Sequence, residues 1–366
     1  KGMIGLVKTV PLGFPPGSDV ANLSILGYDA AKYYTGRSPL EAASIGVKLG
    51  PKDLAFRCNL VTLRQQEGIV YMDDFSAGHI STEEAENIIK DIGKELNTED
   101  IRFYPGVSYR HLMVWHGGPD GLETIPPHDI SGKEIKDYLP KGEGSNRLIE
   151  LMNSSQMLLK DHPVNIKREE DGHNSANSIW LWGQGKAPKM PTLQERFGIE
   201  GSIISAVDLM KGIGIYAGLK VVNVPGATGY IDTNYKGKAE YALKELETKD
   251  FVCIHVEAPD EASHNGDLKN KIKAIEDFDC EVVGRVLEGL VKFKEYRLLV
   301  MPDHPKPITL KTHTPEPVPF VIYPANSFMQ GFICHNGKAF TEEEAKTSGL
   351  LVEEGYKLIE RFLNVN

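Results

Sequence analysis

The sequence has few features of nucleic-acid-binding or membrane proteins. Acidic residues outnumber basic ones by 51 to 41, and a net charge of −10 argues against sequence-independent nucleic-acid binding, which needs concentrated lysine and arginine. No apolar run approaches the roughly 20 residues of a membrane span. The apolar start of the chain is too short, and too soon interrupted by Pro11, for a signal peptide. We therefore expect a cytoplasmic protein without nucleic-acid or membrane partners.

Cysteine is scarce, and its spacing excludes two further classes of protein. The four cysteines are far apart and form no CxxC pair: Cys58, Cys253, Cys280 and Cys334. In a chain of 366 residues this pattern indicates neither a disulfide framework nor a zinc knuckle. We expect reduced, buried thiols.

What the chain does contain is a series of short β-branched runs that predict buried strands of a parallel sheet. They lie at 201–208, 219–225, 251–257, 297–303 and 319–324. Helical patterns at 234–246 and 269–293 alternate with these runs. The second pattern repeats its apolar residues with a period close to 3.6, at Ile272, Ile275, Phe278, Val282 and Val286. The alternation predicts an α/β fold with a mainly parallel sheet flanked by helices.

A different pattern occupies residues 40–177, where hairpin-like pieces predominate. We interpret this stretch as a smaller α+β domain inserted into the α/β domain. The α/β domain would then consist of residues 1–39 and 178–366. The chain is long enough to bury two cores.

Polar side chains follow two of the predicted strands, where ligands collect in open parallel sheets. The run "FVCIHVE" is followed by Asp260 and His264, and "RLLVM" by Asp303 and His304, while His313 precedes "PFVIYP". Two carboxylates and three imidazoles suit Mn²⁺, Zn²⁺ or Mg²⁺. The alternative is that these imidazoles are hydrogen-bonded loop residues in a proline-stiffened segment.

The stretch "FPPGSDVANLSILGYD" predicts a helix that begins near Ser18. One interpretation makes Ser18 or Asp19 the N-cap of this helix. The other makes Ser18 a nucleophile, because helix N-termini favour phosphates and alkoxides. A serine hydroxyl needs a base or a metal to become reactive, and the predicted metal site could supply one.

Several motifs together resemble the archaeal-type cofactor-independent phosphoglycerate mutases of the alkaline phosphatase superfamily. They are "PPGSDVANLSILGYD", "FSAGHISTEEA", "GVSYRHL", "ANSIWLWGQGKAPKMPTL", "ISAVDLMKGIGIYAGL", "VPGATGYIDTNYKGKAEYAL", "HVEAPDEASH" and "PDHP…THTPEPVPF". The resemblance extends over nearly the whole chain. It implies a phosphatase-like α/β domain with two divalent metal ions, usually Mn²⁺, and an inserted domain that helps to hold a small anionic phosphorylated substrate.

The resemblance also implies roles for individual residues. One metal ion would be bound by Asp260, His264 and His313, and the other by Asp303, His304 and Ser18. Ser18 would accept the phosphoryl group of 2- or 3-phosphoglycerate and return it to the other hydroxyl of glycerate, without 2,3-bisphosphoglycerate. The implied contacts for phosphate or carboxylate are His79, Arg110 and Lys211, with Lys186 as a further candidate.

Two departures from the family pattern lead to further expectations. Family members begin with a strand ending in Asp-Gly, whose Asp binds the same metal ion as Ser18, whereas this sequence begins at "KGMIGLVKTV". For a protein of this sequence we expect an altered second metal site and poor activity, and the residues preceding Lys1 would decide the matter. The run "PDHPKP" is also more typical of a bacterial branch whose members have been proposed to act as homoserine kinases.

Two other functions therefore compete with the mutase. One is a homoserine kinase-like phosphotransferase of the same fold, although the sequence has no GxxxxGK[ST] loop and no kinase glycine-rich loop. The other is a binding protein that keeps the fold and one metal ion but has lost catalysis. The sequence leaves metal identity and oligomeric state open.

Overall fold

The computed structural model describes residues 2–323 and 339–363, and Cys334 lies outside them. The chain divides into two compact units. Unit 1 consists of Lys1–Tyr34 and Lys189–Asn366, and unit 2 consists of Thr35–Pro188.

The described strands and helices alternate along much of the chain. The strands are β1 Met3–Val7, β2 Asp53–Gln66, β3 Ile69–Asp74, β4 Ile101–Val107, β5 Arg110–His116, β6 Ser178–Gly185, β7 Gly201–Ile204, β8 Lys220–Val222, β9 Phe251–Ile254, β10 Leu298–Val300, β11 Val318–Tyr323 and β12 Leu351–Val352. The α-helices are α1 Ser18–Ile25, α2 Ala30–Tyr33, α3 Ser38–Ser44, α4 Thr82–Leu96, α5 Ser145–Leu159, α6 Pro163–Glu170, α7 Leu193–Phe197, α8 Asp208–Tyr216, α9 Tyr235–Glu245, α10 Ala258–His264, α11 Leu268–Asp277, α12 Arg285–Leu290, α13 Glu342–Thr347 and α14 Leu358–Leu363. Short 3-10 helices lie at Pro127–Ile130, Lys136–Tyr138 and Gly355–Lys357, and a π-helical segment at Phe278–Gly284.

Unit 1 contains a parallel three-stranded sheet in the order β8-β7-β9. All of β7 is buried, which explains why its sequence "GSII" is continuously apolar or small. Helices α8 and α9 follow β7 and β8 and pack on this sheet. The predicted strands at 201–208, 219–225 and 251–257 and the helix at 234–246 are confirmed, and the α/β fold class with them.

A second sheet of unit 1 has the order β10-β11-β1-β12. Its strand β11 runs antiparallel to both β10 and β1, and only β1 and β12 are parallel. The apolar run predicted at 319–324 forms a strand over its described residues, 319–323, but the strand runs in the opposite direction to the one predicted. Apolar character reports burial on both faces, and burial does not encode strand direction.

The helix predicted at 269–293 is continuous from α11 to α12 but changes its geometry midway. The segment Phe278–Gly284 widens to a π-helix, which shifts the buried face. Val282 and Val286 are buried, as the 3.6-residue period predicts, whereas Ile272 and Ile275 are each 49% exposed. None of the described helices is both long and apolar enough to cross a membrane.

Unit 2 is built on an antiparallel sheet in the order β3-β2-β5-β4. Strand β6 also pairs with β2, on the edge opposite β5. The 14-residue strand β2 is central and almost continuously buried. Helix α4 packs on β4, and its start is fixed by a capping box between Ser81 and Glu84. The expectation of buried thiols holds for Cys58 in β2 but is wrong for Cys280, which is exposed.

Candidate active site

Three side chains meet at the end of strand β9. Asp260 lies in the first turn of α10 and His264 is the last residue of this helix, one turn later, so that both point to the same side. The Nε2 atom of His264 lies 3.5 Å from Asp260 Oδ2, and Nε2 of His313 lies 3.2 Å from Asp260 Oδ1. The structure thus brings together the carboxylate and the two imidazoles assigned to one metal ion.

The second predicted ligand set also comes together in unit 1. The hydroxyl Oγ of Ser18 lies 3.1 Å from Nε2 of His304, and the same nitrogen lies 3.4 Å from Asp303 Oδ2. Asn22, one turn after Ser18 in α1, donates from Nδ2 to Asp303 Oδ2 at 3.0 Å and to the Ser18 carbonyl at 2.9 Å. Asn22 therefore ties the start of α1 to the strand end that carries Asp303. Sequence reasoning did not single it out.

The position of Ser18 bears on its two interpretations. The N-cap of α1 is Gly17, which is followed by Ser18 as the first helical residue, and no side chain caps the helix. Asp19, the second helical residue, accepts the Tyr34 hydroxyl at Oδ2, at 2.6 Å, and the Val20 backbone N–H at Oδ1, at 2.9 Å. Because neither residue serves as a side-chain cap, the Ser18 hydroxyl is available to His304.

The two ligand sets are neighbours. Asp260, His304 and His313 each offer a ligand atom, and these atoms lie within 4.8 Å of one another. Three buried polar atoms of these residues lack a partner with hydrogen-bond geometry: Asp260 Oδ1 and His313 Nε2, which lie 3.2 Å apart, and His304 Nδ1. Buried polar atoms are normally paired, so three unpaired ligand atoms in one place need an explanation. A divalent cation bound by oxygen and imidazole nitrogen fits this donor set.

The pKa values of the cluster favour the protonation states that a metal ion requires. Burial lowers the pKa of His304 and of His264, so both imidazoles are neutral near pH 7. Burial alone would raise the pKa of Asp260, but His313 and the Lys306 ammonium outweigh it and hold that pKa well below its usual range. Neutral imidazoles and an ionised carboxylate are the forms that ligate metals.

A lysine that sequence reasoning missed lies inside this cluster. The side chain of Lys306 is 4% exposed, and its Nζ lies 2.7 Å from Asp260 Oδ2. The run "PDHPKP" contains this residue, but its spacing gave no sign that an ammonium would face Asp260.

A second buried polar group lies beside the cluster, at the ends of β7 and β9. Ser205 Oγ and His255 Nδ1 are 3.1 Å apart, and His255 Nε2 lies 3.3 Å from Glu257 Oε2. Burial lowers the pKa of His255 to about 4, and burial together with the charge of Asp260 raises the pKa of Glu257 to about 8. All three residues lie in motifs quoted in the sequence analysis, but sequence reasoning gave them no role, because Ser205 lies 50 residues before His255 and nothing in the spacing showed that the two would meet.

Lys211 belongs to the same unit as the metal cluster. It lies in α8, is 20% exposed, and its Nζ is 3.4 Å from Asp208 Oδ1. Lys238, which is buried, donates to the His255 carbonyl at 2.8 Å. Burial lowers the pKa of Lys238 to about 8, with a further contribution from the charge of Lys211. Lys238 thus places a buried amine against the group of Ser205, His255 and Glu257.

The other predicted substrate residues lie in unit 2. His79 adopts a left-handed backbone with φ of 51°, and its ring lies 5.9 Å from that of Tyr109. The guanidinium of Arg110 lies 5.4 Å from the same ring, so the structure places these two predicted contacts beside one tyrosine. Lys186 forms an ion pair with Asp120, at 2.6 Å.

Unit 2 also contains a buried arginine that sequence reasoning missed. Arg57 is 5% exposed and bonds Glu41 Oε1 at 2.9 Å, while Arg37 bonds the same oxygen at 2.8 Å. Burial would raise the pKa of Glu41, but Arg57 and Arg37, followed by Arg110, outweigh it and lower that pKa. The arginines around Glu41 therefore carry more positive charge than its single carboxylate neutralises.

Comparisons with known proteins identify relatives over the full length of the chain. The family model described as 2,3-bisphosphoglycerate-independent phosphoglycerate mutase matches residues 1–165. A curated Geobacter sulfurreducens protein, named a probable 2,3-bisphosphoglycerate-independent phosphoglycerate mutase, is 56% identical over 364 residues, which cover 100% of this chain and 90% of that protein. A mutase of the same name from Methanosarcina acetivorans is 58% identical over 326 residues, covering 88% of this chain and 81% of its own length.

Two solved structures share the fold of this chain. The PH0037 protein of Pyrococcus horikoshii superposes with a TM-score of 0.80 at 27% identity, covering 99% of this chain and 87% of that one. A cofactor-independent phosphoglycerate mutase from Thermoplasma acidophilum has a TM-score of 0.63 at 23% identity, with coverage of 100% and 89%. The second likeness concerns the fold alone.

Proposed function

The chain belongs to the 2,3-bisphosphoglycerate-independent phosphoglycerate mutase family, and on that premise we propose that it interconverts 3-phosphoglycerate and 2-phosphoglycerate through a phosphorylated Ser18. The observation that carries this proposal is the contact between Ser18 Oγ and His304 Nε2, at 3.1 Å, beside three unpaired buried ligand atoms. A serine in this setting can be activated as a nucleophile.

The metal ions would be held by the two neighbouring ligand sets. Asp260, His264 and His313 would bind one divalent ion, and Asp303, His304 and Ser18 would contribute to the site of the other. When bound, such ions neutralise phosphoryl oxygens and lower the pKa of a coordinated hydroxyl. We propose Mn²⁺ as the metal, with Zn²⁺ and Mg²⁺ as alternatives.

In the proposed reaction the phosphoryl group is transferred twice, first from the substrate to Ser18 and then from Ser18 back to glycerate. Ser18 Oγ attacks phosphorus, so that a bond from Oγ to phosphorus forms and the bond to the glycerate oxygen breaks. The proton lost by the Ser18 hydroxyl goes to the departing glycerate oxygen. After glycerate reorients, its other hydroxyl attacks the phosphoserine, and a proton returns to Ser18 Oγ. Little covalent help is needed beyond alignment and charge neutralisation.

We propose that cationic and imidazole side chains bind the anionic groups of the substrate. His79 and Arg110 would serve in unit 2, where arginine suits a bidentate grip on carboxylate or phosphate, and Lys211 would serve in unit 1. Lys186 is a weaker candidate, because Asp120 already neutralises it. In this proposal unit 2 acts as the inserted substrate-binding domain, and the enzyme works in the glycolytic reactions of the cytoplasm.

The homoserine kinase alternative rests on the run "PDHPKP" alone, and the comparisons do not favour it. The curated relatives that match at 50–58% identity over most of this chain carry mutase names. A binding protein without catalysis remains testable by mutation of Ser18.

An enolase-coupled assay with 3-phosphoglycerate and Mn²⁺, run on the full encoded chain, tests the proposal. Ser18→Ala should lose nearly all turnover, because it lacks the oxygen that accepts the phosphoryl group. Ser24→Ala is the matched control, since Ser24 lies in the same helix with a buried hydroxyl that has no hydrogen-bond partner. The proposal is wrong if Ser18→Ala and Ser24→Ala turn over equally, or if the wild type phosphorylates homoserine with ATP instead.

A further inference from the structure

The ammonium group of Lys306 lies next to Asp260, one of the proposed metal ligands. The Nζ atom of Lys306 is 2.7 Å from Asp260 Oδ2, and Asp260 is the carboxylate that the unpaired nitrogen of His313 also faces, at 3.2 Å. Lys306 is almost fully buried, with 4% of its side chain exposed. A buried ammonium needs a counter-charge, and Asp260 is the partner that the structure gives it.

The surrounding chain restricts the backbone of Lys306. It stands between Pro305 and Pro307, whose rings fix their own backbone φ angles. Its carbonyl accepts a hydrogen bond from Lys271 Nζ at 2.7 Å, and the Pro305 carbonyl accepts one from the backbone of Thr314 at 3.1 Å. The loop therefore fixes the point from which the side chain reaches Asp260, and the ion pair holds the ammonium there.

The two carboxylate oxygens of Asp260 have different partners. Lys306 bonds Oδ2, whereas Oδ1 is buried and faces only His313 Nε2, at 3.2 Å and without hydrogen-bond geometry. One oxygen is thus committed to the lysine and the other is left for a metal ion. A cation bound at Oδ1 would lie across a single carboxylate group from the ammonium, where two positive charges repel each other strongly in a buried setting.

We propose that Lys306 is a charge-balancing residue of the metal centre, which neutralises Asp260 when no metal ion is bound and weakens the binding of the ion by repulsion. This inference rests on the metal centre of the proposed function. Repulsion outweighs the benefit of holding Asp260 in one rotamer, because fixing a short side chain saves little entropy. The lysine therefore stabilises the metal-free fold and makes the centre bind metal less tightly than its ligands allow.

The test compares Mn²⁺ affinity in variants of the full encoded chain, by competition with a metal-sensitive dye. Lys306→Gln removes the charge but keeps a side-chain donor toward Asp260, and it should bind Mn²⁺ at least tenfold more tightly than wild type. In excess chelator its Tm should fall by several degrees. Lys306→Arg keeps the charge and should retain wild-type affinity.

Lys271→Gln is the matched control, since it removes a lysine that ties down the same loop through the Lys306 carbonyl. Its Mn²⁺ affinity should change less than threefold. Equal or weaker Mn²⁺ binding by Lys306→Gln overturns the proposal, and so does equal tightening in Lys306→Arg. Failure of the wild-type chain to bind Mn²⁺ is a distinct outcome that overturns the metal centre itself.

Discussion

His111 is a buried imidazole in β5 that the proposed chemistry does not use. Its Nδ1 accepts a hydrogen bond from the Gly106 backbone at 3.0 Å, whereas Nε2 has no partner. Burial, and then the charge of Arg57, lowers the pKa of His111 to about 3. The folded protein therefore keeps this side chain neutral at pH values where the unfolded chain would protonate it.

This difference predicts a pH dependence of stability. The unfolded imidazole has a pKa of about 6.5. As the pH falls below this value, the unfolded state binds a proton that the folded state does not, and the folded state loses up to about 1.4 kcal/mol per pH unit. His111→Asn removes the titrating group and keeps an acceptor for Gly106. Urea unfolding between pH 7 and 4 should give a flatter profile for this variant; parallel profiles would contradict the prediction.

For single residues, the sequence predicted which side chains belong to the candidate site better than it predicted which of them contact one another. It pointed to Ser18, Asp260, Asp303 and their imidazoles because these residue types follow predicted strands or begin a helix. It gave no sign of Lys306, because a lysine between two prolines is equally compatible with a solvated loop. Which side chains share a buried space depends on tertiary packing, and spacing along one chain does not encode it.

Helix α4 is the clearest element whose start is set by its own sequence. Ser81 accepts the backbone N–H of Glu84, whose carboxylate in turn accepts the Ser81 backbone N–H at 3.2 Å. Ser81→Ala should lower the free energy of unfolding by about 1 kcal/mol, because an N-terminal N–H loses its acceptor. Ser81→Thr keeps the hydroxyl and should cost much less. Urea midpoints measure both, and equal losses would show that the cap is not the cause.

Helix α8 packs so closely on β7 that the contact requires a glycine in the helix. A Cβ atom at Gly214 would lie 2.5 Å from Cγ2 of Ile203. Gly214→Ala should destabilise the protein by about 1–3 kcal/mol through overpacking, although alanine favours helix.

Gly284→Ala is the control for this substitution, because a Cβ there meets only the Asp279 carbonyl, at an ordinary 3.4 Å. Its stability should equal or exceed that of the wild type. Thermal unfolding compares the two variants, and a fully stable Gly214→Ala would show that α8 can move away from β7 at no cost.

The elements differ in how far local sequence determines them. The strands β7, β8 and β9 and the helix α9 form where their apolar patterns predict them, because these elements pack on one another in a single sheet and its covering helices. The direction of β11 and the exposure of Ile272 and Ile275 did not follow from pattern. The first depends on which strand the chain pairs with, and the second on a π-helical segment that adds a residue to the turn.

For the whole molecule, the proposed metal centre predicts that metal ions stabilise the fold. A ligand that binds only the folded state at 100 times its Kd adds about 2.7 kcal/mol. Saturating Mn²⁺ should therefore raise the Tm measured in chelator by several degrees. His313→Ala should lose most of this increase.

The control for the metal effect is His173→Ala, which removes an exposed imidazole of unit 2. It should retain the full increase in Tm. An equal Mn²⁺ response in the two variants would mean that the stabilising ion binds somewhere other than the cluster of Asp260, His304 and His313.

Phosphopeptide mapping tests most directly whether a serine next to a metal cluster carries the phosphoryl group. The full encoded chain is incubated with Mn²⁺ and 3-phosphoglycerate, quenched in acid, digested and analysed by mass spectrometry. We predict one phosphorylated peptide, with the modification on Ser18, and none in Ser18→Ala. Turnover without any phosphoserine, or a phosphoryl group on another residue, would contradict the proposed mechanism.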